Sequence, residues 1–223
     1  MIARIKYIIY FLLLSSVVFG SKIAVATKVQ GLVEMMEVGK KDFSKLKAGT
    51  ILSDGDKIRT GSSGFAAIIF IDDKSTLKLK ENSEAVITGQ RTAASISKKI
   101  NMDSGTVRAT VTKQNTDFVI QTPTSVASVK GTDFWLLTDP ETGDEIIGLE
   151  GVVGLTNNET GEEVDVEEGM SGLSTPGGSL GVEETDPSSI PDDPSDEQEG
   201  PSQIRIYLEG PDGEQKVMVI EYQ

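Results

Sequence analysis

The sequence contains neither cysteine nor histidine. Without cysteine, oxidising surroundings stabilise nothing here and core packing has to hold the fold. A diacylglycerol thioether anchor is excluded as well. The missing histidine removes the usual neutral-pH proton shuttle and the commonest metal ligand. Ser-His-Asp and Cys-His chemistry, zincin sites and most transition-metal sites go with it. Only carboxylate chemistry or an oxygen-ligand calcium site is left. Aromatic residues are scarce at 5%, with a single tryptophan, Trp135. Basic residues are absent from 131–204, which holds 20 acidic ones, whereas 21–130 holds 17 Lys/Arg against 11 Asp/Glu, a net of +6. The strong overall acidity disfavours nucleic acid and anionic lipid as partners, and Lys40-Lys41 with Lys45 and Lys47 reads as a solvated loop rim.

What is present begins with a distinct N-terminus. Arg4 and Lys6 precede an apolar run from Tyr7 to Phe19 broken by Ser15 and Ser16, the layout of a secretory signal peptide over residues 1–20. The run is short for a bilayer-spanning helix, although Ile2 and Ile5 lengthen the apolar stretch toward a retained anchor. Small residues allow cleavage after Val18-Phe19-Gly20 or after Ala24-Val25-Ala26, and the first is preferred because the second removes the start of a strand. The expected location is periplasmic, secreted or cell-surface, without stable membrane insertion after cleavage.

From residue 21 to 173 short β-branched runs with period-2 alternation are separated by glycine and aspartate turns. Expected strands run over 23–33, 46–52, 58–60, 65–71, 77–79, 85–88, 96–102, 106–112, 118–121, 125–129, 132–137, 145–149, 152–156 and 163–166. A helix over 92–100 is a weak alternative. The pattern predicts an all-β domain, a multi-stranded β-sandwich or β-roll with short glycine-punctuated strands. Residues 174–203 carry Pro187, Pro191, Pro194 and Pro201 and eight acidic residues between Glu183 and Glu199. Such a stretch buries too little apolar surface to offset its ordering entropy, and it reads as a flexible acidic linker. Calcium-loop spacing is missing from it. Ile204, Ile206 and Leu208 then alternate, Gly210-Pro211-Asp212-Gly213 turns, and Val217 and Val219 alternate back, a hairpin over 204–223. A lone hairpin is barely stable, so it either docks on the main sheet or adds strands to a partner, with Ile204, Ile206 and Leu208 as the candidate edge.

Several motifs recur in order: Gly31-Leu32-Val33, Gly49-Thr50-Ile51-Leu52, Gly55-Asp56, Ile58-Arg59-Thr60-Gly61, Asp72-Asp73-Lys74-Ser75 and Gly105-Thr106-Val107. They continue in Phe118-Val119-Ile120-Gln121-Thr122-Pro123, Ala127-Ser128-Val129-Lys130-Gly131-Thr132-Asp133-Phe134 and Leu149-Glu150-Gly151-Val152-Val153. Over about residues 28–172 this series resembles the FecR domain, the periplasmic domain named after the iron-citrate signalling regulator. The resemblance implies export and protein-level recognition without turnover. Few residues precede the apolar segment, so the expectation is a standalone exported form that lacks the cytoplasmic anti-sigma segment. Acidic pairs such as Asp54 with Asp56, Asp72 with Asp73, and Glu141 with Asp144 or Glu145 sit at turn signals and read as solvated turn residues. No catalytic, cofactor-binding or metal-ligating residue is assigned. The expected function is a non-catalytic binding or scaffold module for an envelope protein or glycan, with strand addition by the hairpin as the alternative. Trp135 neighbours Phe134 on a strand where successive side chains face opposite ways; with Phe134 inside, Trp135 is either a sheet-packing residue covered by a loop or the terminal hairpin, or a candidate recognition residue.

Overall fold

Period-2 alternation becomes strand after strand in the computed structural model, which describes residues 20–92, 95–113, 117–195, 202–209 and 215–222, the last two stretches in backbone only. The expected signal peptide lies outside the described residues except for Gly20. The chain divides into two compact units, Met1–Ile190 and Pro191–Gln223.

The first unit contains β1 (Lys22–Gln30), β2 (Val33–Met36), β3 (Ser44–Lys45), β4 (Ile51–Ser53), β5 (Asp56–Thr60) and β6 (Phe65–Phe70). There follow β7 (Thr76–Leu79), β8 (Glu84–Arg91), β9 (Ile96–Thr110), β10 (Phe118–Gln121), β11 (Ser125–Val129) and β12 (Asp133–Asp139). The unit continues with β13 (Gly143–Glu150), β14 (Val152–Asn157), β15 (Glu163–Glu167), β16 (Met170–Ser174) and β17 (Leu180–Glu184), before a 3-10 turn at Pro187–Ser189. Pairing joins these strands into two ladders. The first runs β4-β1-β6-β7-β9-β12-β13-β16-β17, antiparallel throughout. The second runs β3-β2-β5-β8-β9-β10-β11-β14-β15, antiparallel except for the parallel β9/β10 pair.

The long strand β9 belongs to both ladders. Residues Ile96–Ser104 pair with β8, while Gly105–Thr110 pair with β12. Its buried residues change parity on the way, from Ile96, Lys98, Ile100 and Met102 to Val107 and Ala109. Gly105 marks the handover with φ +111°. The two strands expected over 96–102 and 106–112 are therefore one, bent at a residue that only glycine fills without strain. The alternative helix over 92–100 does not form, since β9 begins at Ile96.

Residues from both ladders build one core, with Phe70, Leu77, Phe134 and Ile146 from the first and Ile58, Ile87, Phe118 and Leu155 from the second. Phe70 and Phe118 meet edge to face across it, centroids 5.8 Å apart, a favoured aromatic geometry. Among the described residues the structure is all-β as expected, and the sheet neither closes into a barrel nor curls strongly.

Several expected boundaries move, among them that of 46–52, of which only Ile51 and Leu52 fall in a strand. The strand expected over 23–33 breaks at Gly31, whose φ is +63° and where a Cβ would come within 2.1 Å of the Ser63 carbonyl oxygen. The stretch expected as linker from residue 174 contains β17, paired with β16 around Thr175-Pro176-Gly177-Gly178. Four of the five β17 residues are exposed, so backbone hydrogen bonds rather than apolar burial hold it. Hydrophobic content carries no trace of it.

The second unit contains β18 (Ser202–Glu209) and β19 (Gln215–Tyr222), an antiparallel pair in which Ile204 faces Ile220, Ile206 faces Met218 and Leu208 faces Lys216.

Candidate recognition surface

The acidic residues take structural positions. Asp56 is buried and accepts the Val38 amide on Oδ1 at 3.0 Å and the Ser53 amide on Oδ2 at 2.8 Å. Asp54 accepts the Gly89 amide at 2.9 Å. Asp144 is buried, and its Oδ2 accepts the hydroxyls of Thr122 and Ser125. Asp56 and Asp144 are thus not the solvated turn residues expected; their carboxylates tie strand ends together in place of water. Asp72 and Asp73 close on the ammonium of Lys98 at 2.9 Å each. Burial opposes ionisation of Asp73, yet bonds from Lys98 and from the Ser75 amide and hydroxyl hold its carboxyl below the usual range. No group of three or more acidic residues among the described residues is placed to hold a metal ion.

Trp135 is corrected as a recognition residue. Phe134 points into the shared core, and Trp135 on the opposite side of β12 is only 1% exposed. The Lys80 ammonium and the Arg108 guanidinium each lie 5.9 Å from its ring, within cation–π range. Arg108 is itself held by a two-point contact with Asp133, 3.0 Å and 2.9 Å. An enclosed indole braced by cations is a packing element, with no face to offer. Ile204, Ile206 and Leu208 lie on β18, whose one described partner strand is β19.

The outer side of the second ladder is different. Register aligns Thr88, Lys99, Val119, Ser128, Gly154 and Asp165 in one row across β8, β9, β10, β11, β14 and β15. These positions alternate with core residues Ile87, Ile100, Ile120, Ala127, Leu155 and Val166, so the row faces outward. Ser128 and Gly154 carry its smallest side chains and floor a depression of about 520 Å³ walled by Asp117, Lys130, Glu163 and Asp165, with Val119 and Val152 as its apolar patches. A second depression of about 520 Å³ shares Asp117 and Val119 and extends over Gln90, Ser97, Lys99 and Gln121. Together they form a trough of amides, hydroxyls and charges of both signs. None of these residues stood out in the sequence, because six strands separated by up to 77 positions supply the row; a Ser and a Gly at outward-facing strand positions were the only local signal.

No helix among the described residues is long and apolar enough to cross a membrane. Residues 56–154 match the family model described as FecR protein. No curated protein matches the chain. Among solved structures, two crystal structures of a proposed anti-sigma factor from Parabacteroides distasonis are similar at 13% and 14% identity, with TM-scores of 0.49 and 0.48. Each likeness covers 58% of this chain and 60% of that one.

Proposed function

We propose that the FecR-type domain serves here as the rigid platform of a non-catalytic recognition or scaffold module that works outside the cytoplasm, periplasmic or at the cell surface. Its contact surface is the outer trough of the second ladder, and its partner is an envelope protein or glycan. The row from Thr88 to Asp165 carries this reading: it joins six strands of one ladder into a shaped surface with mixed charge and small residues at its floor. Preformed concavities with a few convergent polar groups are where binding sites occur. Export is supported by the Arg4/Lys6 and Tyr7–Phe19 pattern. We read the two ladders on their common core as the layers of a sandwich, which keeps the trough rigid.

The test uses Ser128→Arg, which fills the floor from an exposed position. Pull-down from envelope protein and glycan fractions with the full mature chain should yield a partner that the variant loses while its melting curve stays unchanged. Retention of that partner by the variant overturns the assignment of the surface. A second reading rests on β18 and β19, a two-stranded sheet of their own. Such a hairpin suits strand addition, and a partner lost on deleting residues 191–223 but retained by Ser128→Arg would favour it.

A further inference from the structure

Alternation along β9 puts residue 98 in line with Ile96 and Ile100, and the Lys98 side chain is fully enclosed. It is the one buried Lys or Arg among the described residues. Its Nζ lies 2.9 Å from Asp72 Oδ2, 2.9 Å from Asp73 Oδ2 and 3.2 Å from the Ile96 carbonyl oxygen. The Phe70 ring, 5.3 Å away, walls the site from the core side. Both carboxylates are fixed independently of the lysine. Asp72 Oδ2 accepts the Ile96 amide at 2.8 Å. Asp73 accepts the Ser75 amide on Oδ1 at 3.0 Å and the Ser75 hydroxyl on Oδ2 at 2.7 Å. A primary amine, a carboxyl carbon and a second carboxylate are thus held in contact, with the amine enclosed and the Asp72 and Asp73 side chains 13% and 11% exposed.

We propose that Lys98 and Asp73 condense to a side-chain amide, a covalent staple between β9 and the β6–β7 turn, with Asp72 as proton relay. Asp72 accepts a proton from the ammonium, and Nζ attacks Cγ of Asp73. The Nζ–Cγ bond forms and the Cγ–Oδ2 bond breaks. Oδ2 leaves as water carrying two protons that began on the ammonium, and Asp72 ends as the carboxylate it was. One ammonium and one carboxylate go in; one amide and one water come out, with no oxidant or added reagent. The Ser75 amide faces Oδ1, the oxygen on which charge develops in the tetrahedral intermediate, and the Ser75 hydroxyl faces the oxygen that departs. Fixed contact replaces the encounter that makes amide formation slow in solution. Because the starting carboxylate is held ionised, the reaction runs through the neutral pair reached by proton transfer inside the site. It proceeds slowly after folding and once per chain. The staple gives a chain without cysteine a covalent tie that closes a loop between positions 25 residues apart.

The test is intact-mass spectrometry of the full mature chain purified under native conditions, with proteolytic mapping. The expected mass is lower by one water than the sequence requires, and the peptides that contain Asp73 and Lys98 are joined. Lys98→Met should restore the full mass, and Asp72→Asn should raise the uncondensed fraction at least tenfold at early times after refolding. A wild-type chain at full mass, with the two residues in separate peptides, overturns the proposal. So does loss of water that persists in Lys98→Met, which marks a succinimide at Asp73 instead. If the variants fail to fold, the joined or separate state of the wild-type peptides decides alone.

Discussion

Replacing Gly105 with alanine should be among the most damaging single-methyl additions in the fold. Gly105 stands where β9 passes from one ladder to the other, at φ +111°, and a Cβ there would lie 2.3 Å from Ser83 Oγ and 2.4 Å from Ser83 Cα. Ser83 has no freedom to retreat. Its amide donates to Thr60 Oγ1 at 2.8 Å, its Oγ accepts the Thr106 amide at 3.0 Å, and Thr60 Oγ1 donates to the Lys80 carbonyl at 2.5 Å. Two costs therefore combine. The backbone conformation costs an L-residue about 1–3 kcal/mol, and forcing a methyl into a packed site costs about 1–3 kcal/mol. Gly49 supplies the control, since its φ is +84° but nothing lies within 4 Å of its added Cβ; Gly49→Ala carries the first cost alone. Urea unfolding followed by far-UV circular dichroism should place Gly105→Ala about 2–5 kcal/mol below wild type and at least ~1 kcal/mol below Gly49→Ala. Equal losses for the two variants would show that the Ser83 contact does not constrain β9, and the account of the handover would be wrong.

Trp135→Ala should lower stability by about 3–5 kcal/mol, the usual cost of truncating an enclosed large aromatic, and chemical unfolding with a near-wild-type transition would contradict its enclosure. Asp56→Ala strands the amides of Val38 and Ser53 and should cost about 2–3 kcal/mol in the same assay, whereas a loss under ~0.5 kcal/mol would show that water replaces the carboxylate. The Lys57 ammonium is held above its ordinary range by its hydrogen bond to Glu84, against the opposing effect of burial and with further help from Asp103. A raised folded-state value stabilises fully below the unfolded lysine value of about 10.4 and is lost as pH rises through the folded value. On the alkaline side the stability gap between wild type and Glu84→Gln should therefore narrow only above about pH 10, and a gap that narrows between pH 6 and 8 would contradict the assignment.

The fold class was legible because alternation is a local property. Phe65 to Ile71 reads as a strand enclosed on both sides or at the core centre, and five of the six residues of β6 are buried; Ser125 to Val129 has the same bounds in sequence and structure. Where the reading failed, the cause was nonlocal. β17 is held by pairing with β16 and shows no apolar stripe. The joining of two expected strands into β9 depends on Gly105 bending rather than ending a strand, and glycine alone does not say which. Lys98 was legible in part: period two places it between Ile96 and Ile100 on the buried side, but its partners lie 26 and 25 residues away. Trp135 stayed open between packing and recognition because alternation tells which side of a strand a residue takes and says nothing about what covers that side. The trough was illegible since its register row is written across six strands.

The most direct test of recognition through the second ladder is a quantitative pull-down from envelope fractions that compares the full mature chain with its Ser128→Arg and Trp135→Phe variants, each matched for folded fraction. The account predicts a partner captured by wild type and by Trp135→Phe and reduced at least tenfold by Ser128→Arg. Capture that survives Ser128→Arg and is lost in Trp135→Phe would contradict it.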